Sequence, residues 1–296
     1  MNEWEKPEFF REEVLCDHVV GTDMKKIWAV ELDILAEFDR VCRKNGLRYY
    51  AEYGTLLGAV RHHGYIPWDD DIDVSMPRED YKKLADIAKD EFKYPYAYRD
   101  GYSGYAITPF AKVMRVDTAA VERPELPPEF PQGIFMDIMP IDAVPDGRVE
   151  TLENWKRLLE YWSLLKYPVE TFDRLCAGEQ FLLGAERIIE VAQMQPEMKL
   201  RELEDFAYSI VGSSDKVNVF LFYIKSGGGV RDISWYDDTV YMPYEGFDIP
   251  CPGGYHEILT SIYGDYMTPI KGAGTAHEIQ VFDTEKPYTD YLTGGN

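Results

Sequence analysis

The sequence predicts an α/β (α+β) protein, with a mixed sheet core in its first half and helical elaboration after it. Strand-like and helix-like patterns interleave up to about residue 145, and helical patterns dominate beyond that point. Apolar residues make up 45% of the chain and aromatic residues 14%, which is typical of a folded globular protein. Because no internal repeat or low-complexity linker interrupts the 296 residues, we expect one domain over 1–296, with a core over about 22–145 and a helical and C-terminal part over about 146–296.

The charge balance limits the partners that this protein can bind. The chain holds 53 acidic against 31 basic residues, a formal net charge of −22, which disfavours DNA, RNA and anionic membrane surfaces. No N-terminal segment has the pattern of a signal peptide, and no apolar run is long enough to form a transmembrane segment. The four cysteines lack the spacing of metal ligands, so we expect them to be reduced. These features predict a cytoplasmic protein that does not bind nucleic acid.

The first helix is predicted over 22–45, from Thr22 or Asp23 to a stop near Gly46. The apolar residues that recur along it at helical spacing are Ile27, Ile34, Phe38 and Val41. A short strand over 48–52 follows, and then a brief helix for which Thr55 is the expected cap.

Four further patterns complete the predicted core. Alternation predicts a strand over 71–76, and Pro77 then begins a helix. Two more strands, over 110–116 and 133–142, are separated by a Pro-rich loop. Beyond the core, helices are predicted over 148–166, 171–193 and 198–211, and the remainder is rich in Tyr, Pro and Gly.

An unusual concentration of acid lies in the stretch GTLLGAVRHHGYIPWDDDIDV, residues 54–74. In a strand, side chains alternate between faces, so Asp71 and Asp73 share one face, Asp70 points away, and Asp69 joins the pair if the strand begins early. Carboxylates arranged in this way suit one or two divalent cations, and ligands that are all oxygen favour Mg²⁺ or Mn²⁺. We therefore expect Asp69, Asp71 and Asp73 to bind metal.

A third acidic position lies on the predicted strand over 133–142. Asp137 stands there between apolar neighbours, and Asp142 is a second candidate five residues further along. Asp137 could be a general base or a further metal ligand, and the sequence leaves both roles open.

The residues that precede the acidic run favour phosphate as the ligand. Gly54 allows close approach of the backbone and Thr55 adds a hydroxyl at a helix N-terminus, where amides and the helix dipole attract anions. Arg61 could grip a phosphate bidentately or pair with one of the aspartates. Lys112 and Arg115, on a later strand, are further candidates for neutralising phosphate charge.

The motif GTLLGAVRHHGYIPWDDDIDVSMPREDY resembles the signature of the LicD family, which shares the nucleotidyltransferase fold with fukutin-type enzymes. The segments GIFMDIMPID and MPYEGFDIPCPGGYHEIL extend the resemblance, so that it runs from about Thr22 to His277. The resemblance implies transfer of a phospho-alcohol, with phosphocholine from CDP-choline as the best-known case, to a hydroxyl of a cell-surface polysaccharide, teichoic acid or lipooligosaccharide precursor.

The resemblance also assigns roles to residues of this chain. Asp69, Asp71 and Asp73 would bind the metal, and Gly54, Arg61 and Trp68 would line the site of the CDP-activated donor. A choline group would need aromatic neighbours. Such residues are concentrated near the C-terminal end, in a part of the chain that could close over donor or acceptor: Trp235, Tyr236, Tyr241, Tyr244, Tyr255 and Tyr263.

Two other functions fit the same residues. A nucleotidyltransferase would move a nucleoside monophosphate from a nucleoside triphosphate to a sugar or small molecule. A non-catalytic glycan-binding protein could retain the fold, but would have no chemical reason to keep the aspartates together.

Overall fold

The computed structural model describes residues 2–102, 110–144, 168–219, 230–270 and 279–293, together with 153, 156, 157, 160, 163 and 164. The chain forms two compact units. The first comprises the described parts of Met1–Arg99, Ala111–Met139 and Trp235–Asn296, and the second those of Asp100–Phe110 and Pro140–Ser234. In the described part of the chain, no helix is long and apolar enough to cross a membrane.

Helices in the first unit are built on amphipathic segments. The predicted first helix is confirmed as α1, Thr22–Asn45, and it ends at Gly46, whose φ of 65° is the left-handed conformation that favours glycine. The others are α2, Tyr53–Arg61, α3, Arg78–Glu91, and α7, Tyr255–Tyr263. The second unit contains α4, Pro168–Cys176, α5, Gly184–Gln193, and α6, Pro196–Ser209.

Strands of the first unit place the acidic run beside the strand that carries Asp137. In its main sheet, β3 (Tyr50–Ala51) pairs antiparallel with β4 (Asp73–Pro77), and β4 neighbours β8 (Ile134–Ala143). On the other edge of β8, β6 (Ala111–Arg115) pairs antiparallel with β8 and with β5 (Tyr96–Arg99). The structure thus confirms a core of helices and sheet, and it brings β4 and β8 side by side.

The remaining strands form smaller pairings. These are β1 (Glu13–Leu15) with β2 (His18–Val20), β7 (Ala119–Val121) with β13 (Val281–Asp283), and β11 (Thr239–Tyr244) with β12 (Phe247–Pro252), all antiparallel. In the second unit, the last residues of β8 pair with β9 (Lys216–Val219), which pairs with β10 (Arg231–Asp232).

The structure corrects three of the predicted elements. The short helix begins at Tyr53 and not at Thr55, because the Glu52 carboxylate accepts the Tyr53 N–H and caps the helix. The strand of the acidic run begins at Asp73, two residues later than predicted. The single helix predicted over 171–193 is two helices, separated by a segment in which Gly178 has a φ of 88°. Most of the helix predicted over 148–166 lies outside the described residues.

Candidate active site

The acidic loop, residues 69–72, connects a turn to the start of β4 and has no regular secondary structure. The turn is closed by the Asp69 N–H, which donates to the Ile66 carbonyl oxygen over 2.9 Å. Because the loop is irregular, the alternation of a strand does not govern the directions of its side chains.

Three consecutive carboxylates converge on this loop. Oxygen atoms of Asp69, Asp70 and Asp71 lie within 4.8 Å of one another, and all three residues are half-buried. The expectation that Asp70 points away is therefore wrong. It assumed the alternation of a strand, but β4 begins only at Asp73. The donor set is all oxygen, which fits Mg²⁺ or Mn²⁺. In the described part of the chain no other group of three acidic, His or Cys ligands is this compact.

Asp73 is the first residue of β4 and is held by the start of α2. Its backbone N–H donates to Thr55 Oγ1 over 2.8 Å. Burial raises the pKa of the Asp73 carboxyl well above its ordinary value, and the nearby carboxylates of Asp71 and Asp137 raise it further. A cation beside this group would offset both effects.

Asp137 lies on β8, directly opposite Lys112 on β6. The two side chains are almost fully buried and form an ion pair, with 3.0 Å between Lys112 Nζ and Asp137 Oδ1. The Lys112 ammonium also lies 3.3 Å from the centre of the Phe135 ring. The Asp137 N–H donates to the Ile72 carbonyl oxygen over 2.9 Å, which ties β8 to the end of the acidic loop.

Gly54 lies in the first turn of α2, directly against the acidic loop. A Cβ atom built at Gly54 would stand 2.4 Å from Asp69 Oδ2, which is far inside van der Waals contact. Only glycine leaves room here for the carboxylate. The Asp69 side chain is thus seated on the N-terminal turn of α2, where partial positive charge from the helix favours an anion.

A cavity of about 310 Å³ opens beside these groups. Six of the nine predicted site residues line it: Gly54, Arg61, Trp68, Asp69, Asp71 and Asp73. The C-terminal part of the first unit also contributes lining residues: Tyr263, Asp265, Tyr266, Thr268 and Ile270. The other three predicted residues are not part of this lining: Thr55 accepts the Asp73 N–H, and Lys112 pairs with Asp137.

Arg61 is the single basic residue among the described residues that line this cavity, which also carries five aspartates. Its Nη1 donates to the Tyr266 carbonyl oxygen over 2.7 Å, and its Nε donates to His62 Nε2 over 2.9 Å. Among the described residues it forms no ion pair with an aspartate, and both of these hydrogen-bond acceptors are neutral. Burial lowers the pKa of Arg61, and burial together with the Arg61 charge lowers the pKa of His62 to about 4, so His62 is neutral at pH 7 and can accept this hydrogen bond.

Comparison with known proteins agrees with this geometry. A family model described as LicD/FKTN/FKRP, nucleotidyltransferase domain, matches residues 46–173. Over this segment the chain matches the LicD family. It is 27% identical to the lipopolysaccharide cholinephosphotransferase LicD of Haemophilus influenzae over an alignment of 278 positions, which covers 84% of this chain and 93% of that protein.

Two other relatives match shorter segments of this chain. An uncharacterised protein of Rickettsia prowazekii is 31% identical over 104 residues, or 34% of this chain and 38% of that protein. The ribitol 5-phosphate transferase FKRP of Homo sapiens is 54% identical over 35 residues, or 12% of this chain and 7% of that protein.

Three buried residues near the acidic loop escaped prediction. Trp28 and Glu31 on α1 are buried, and so is Tyr65, whose ring stacks on Trp28. The Tyr65 hydroxyl donates to Glu31 Oε2 over 2.8 Å, and burial raises the pKa of Glu31 well above its ordinary value. The only signal in the sequence was the position of Glu31, an acidic residue at helical spacing from the apolar residues of α1.

Proposed function

We propose that this protein transfers a phospho-substituted alcohol, with phosphocholine from CDP-choline favoured, to a hydroxyl group of a glycan, and releases CMP. At the level of the family the chain is a phosphotransferase, since its relatives are named as transferases of cholinephosphate and of ribitol 5-phosphate. The observation that carries the proposal is the meeting of the acidic loop, the first turn of α2 and Arg61 around one cavity.

The charges of the cavity support dependence on Mg²⁺ or Mn²⁺. Five aspartates and one arginine would repel a pyrophosphate, so a nucleoside diphosphate donor needs added positive charge here. Asp69, Asp70 and Asp71 would hold the cation, and Asp73 stands beside them as a further ligand. A bound divalent cation would supply stabilisation of the negative charge that develops on the leaving CMP.

The protein's own groups have distinct roles in this proposal. Arg61 binds a phosphate of the donor, because its guanidinium reaches the cavity and carries no carboxylate partner among the described residues. Trp68, Tyr263 and Tyr266 present aromatic surface to the alcohol group, and a quaternary ammonium binds such surfaces well. Residues 271–278, which include His277 at the end of the family resemblance, lie outside the described residues.

The transfer step forms one bond and breaks one bond. The acceptor oxygen attacks the phosphorus distal to cytidine, the bond from that phosphorus to CMP breaks, and the hydroxyl proton leaves to a base. Asp137 is the proposed general base or additional metal ligand, and its ion pair with Lys112 holds its carboxylate in place for either role.

A ligand screen tests the choice of donor. CDP-choline, CDP-ethanolamine, CDP-glycerol and CDP-ribitol are compared by thermal shift in Mg²⁺, and the true donor should raise the melting temperature most because it binds only the folded protein. Product analysis then separates the functions. Release of CMP supports the proposal, and release of pyrophosphate from a nucleoside triphosphate would replace it with nucleotidyl transfer.

Failure to bind any metal or nucleotide would instead favour the non-catalytic glycan-binding protein. A cytoplasmic location, where nucleotide-activated donors are made, is part of the proposal.

A further inference from the structure

The acidic loop is fixed by a hydrogen bond from a distant helix. The indole Nε1–H of Trp28, on α1, donates to the main-chain carbonyl oxygen of Asp69 over 2.8 Å. Residues 69–72 have no regular secondary structure, and the tie to β8 through the Ile72 carbonyl oxygen lies at the other end of the loop. This side-chain bond therefore supplies an anchor that the local backbone does not.

The donor of that bond has little freedom to move. Trp28 is fully buried within the 24-residue helix α1. Its ring stacks on Tyr65 with 4.4 Å between ring centres and 4° between planes, and the Lys25 ammonium lies 4.9 Å from the Trp28 ring centre. Tyr65 is fixed in turn by its hydroxyl bond to Glu31.

Asp69 is consequently located at three points. Its N–H bonds the Ile66 carbonyl oxygen, its carbonyl oxygen accepts from Trp28, and its carboxylate fits against Gly54. A carboxylate that is already placed loses less conformational entropy when it binds a cation, so the affinity for that cation rises.

We infer that Trp28 is a positioning residue for the metal site, acting on the acidic loop through the main chain of Asp69. This inference rests on the proposed metal-dependent function and deepens it. It assigns to α1, outside the cavity, a part in cation binding.

A matched pair of substitutions tests the inference. Trp28→Phe keeps an aromatic ring in the stack but removes the N–H group, whereas Trp4→Phe removes an indole N–H that is buried and has no hydrogen-bond partner among the described residues. Mn²⁺ binding is measured by electron paramagnetic resonance without donor or acceptor. We expect Trp28→Phe to bind Mn²⁺ about fivefold more weakly, the effect of one lost hydrogen bond, and Trp4→Phe to match the wild type.

The Mn²⁺ dependence of turnover distinguishes a positioning role of Trp28 from a general structural role. Saturating Mn²⁺ should restore the kcat of Trp28→Phe to near the wild-type value, while the Mn²⁺ concentration for half-maximal activity rises about fivefold. A kcat that stays low at all Mn²⁺ concentrations would show a general structural defect and overturn the inference.

The possible failures are distinguishable. Equal Mn²⁺ affinities in Trp28→Phe and the wild type would overturn the positioning role and leave metal-dependent transfer intact. Absence of Mn²⁺ binding by the wild type would overturn the proposed function and this inference together.

A measurement on the native protein covers the case in which Trp28→Phe does not fold. With ¹⁵N-labelled tryptophan, the indole N–H resonance of Trp28, assigned by its proximity to the Tyr65 ring, should shift when Mg²⁺ is added, and that of Trp4 should not. An unmoved Trp28 resonance would overturn the inference.

Discussion

Individual residues of the candidate site differ in how directly they meet the cavity. Asp69, Asp71 and Asp73 line it, whereas Asp137 does not and forms an ion pair with Lys112. The spacing of the aspartates was enough to predict that they lie together. It could not predict that Asp70 joins them, because that depends on where the strand begins.

Removal of one aspartate should stop turnover without unfolding the protein. For Asp73→Ala we expect kcat to fall by about 10³-fold or more, since a catalytic cation supplies several kcal/mol of charge stabilisation. Asp86→Ala, which removes an exposed carboxylate on α3, is the control and should retain full activity. Near-wild-type turnover by Asp73→Ala, measured by CMP release, would contradict the assignment.

A side chain at Gly54 should displace the Asp69 carboxylate. In Gly54→Ala the new methyl group meets the Asp69 carboxylate, which can swing away, so we expect a folded protein with weakened Mn²⁺ binding. Gly21→Ala is the matched control, because a Cβ atom there meets nothing within 4 Å. Calorimetric titration with Mn²⁺ compares the two, and equal affinities would disprove the close packing of Gly54 against Asp69.

Arg61→Lys tests the proposed phosphate contact. A lysine cannot reproduce the planar fork that bonds two oxygens, so we expect the KM for the donor to rise about tenfold or more with a smaller change in kcat. Arg40→Lys, at a half-exposed ion pair with Glu37, should leave both constants unchanged. An unaltered KM for the Arg61 variant would remove this residue from the donor site.

At the scale of elements, features set by local patterns could be predicted from the sequence, and features set by distant contacts could not. The bounds of α1 were predicted because an amphipathic pattern ends at a glycine in the left-handed conformation. The start of α2 was missed because Glu52 caps that helix through its own side chain, and Tyr53 adopts a φ of 42° that its residue type does not favour. The bond from Trp28 to Asp69 spans 41 residues, and nothing in a local pattern reports such a pair.

The end of α2 should make stability sensitive to acid. His62 has its pKa lowered from 6.5 to about 4 in the folded protein, so between these values the unfolded chain binds the proton more readily. Its contribution to stability is present above pH 6.5 and is lost as the pH falls towards 4. The wild type should therefore lose more melting temperature than His62→Gln between pH 7 and pH 4.5, and an equal loss in both proteins would refute this assignment.

The molecule as a whole carries a net charge of −22, and that charge opposes folding through mutual repulsion. Because salt at 0.1 M screens the repulsion between exposed charges more than about 10 Å apart, we expect the melting temperature to rise between low salt and about 0.3 M NaCl. Differential scanning calorimetry measures it, and a melting temperature that falls with NaCl would show that attractive pairs dominate the surface instead.

The contact between Arg61 and residue 266 has a consequence for how this protein can diverge. The acceptor is a main-chain carbonyl, which every amino acid provides, so position 266 can change its side chain without breaking the contact. Covariation between the two positions will not reveal their coupling. Insertions or deletions between Gly264 and Tyr266 would displace the carbonyl, so the length of that turn is the property that evolution has to preserve.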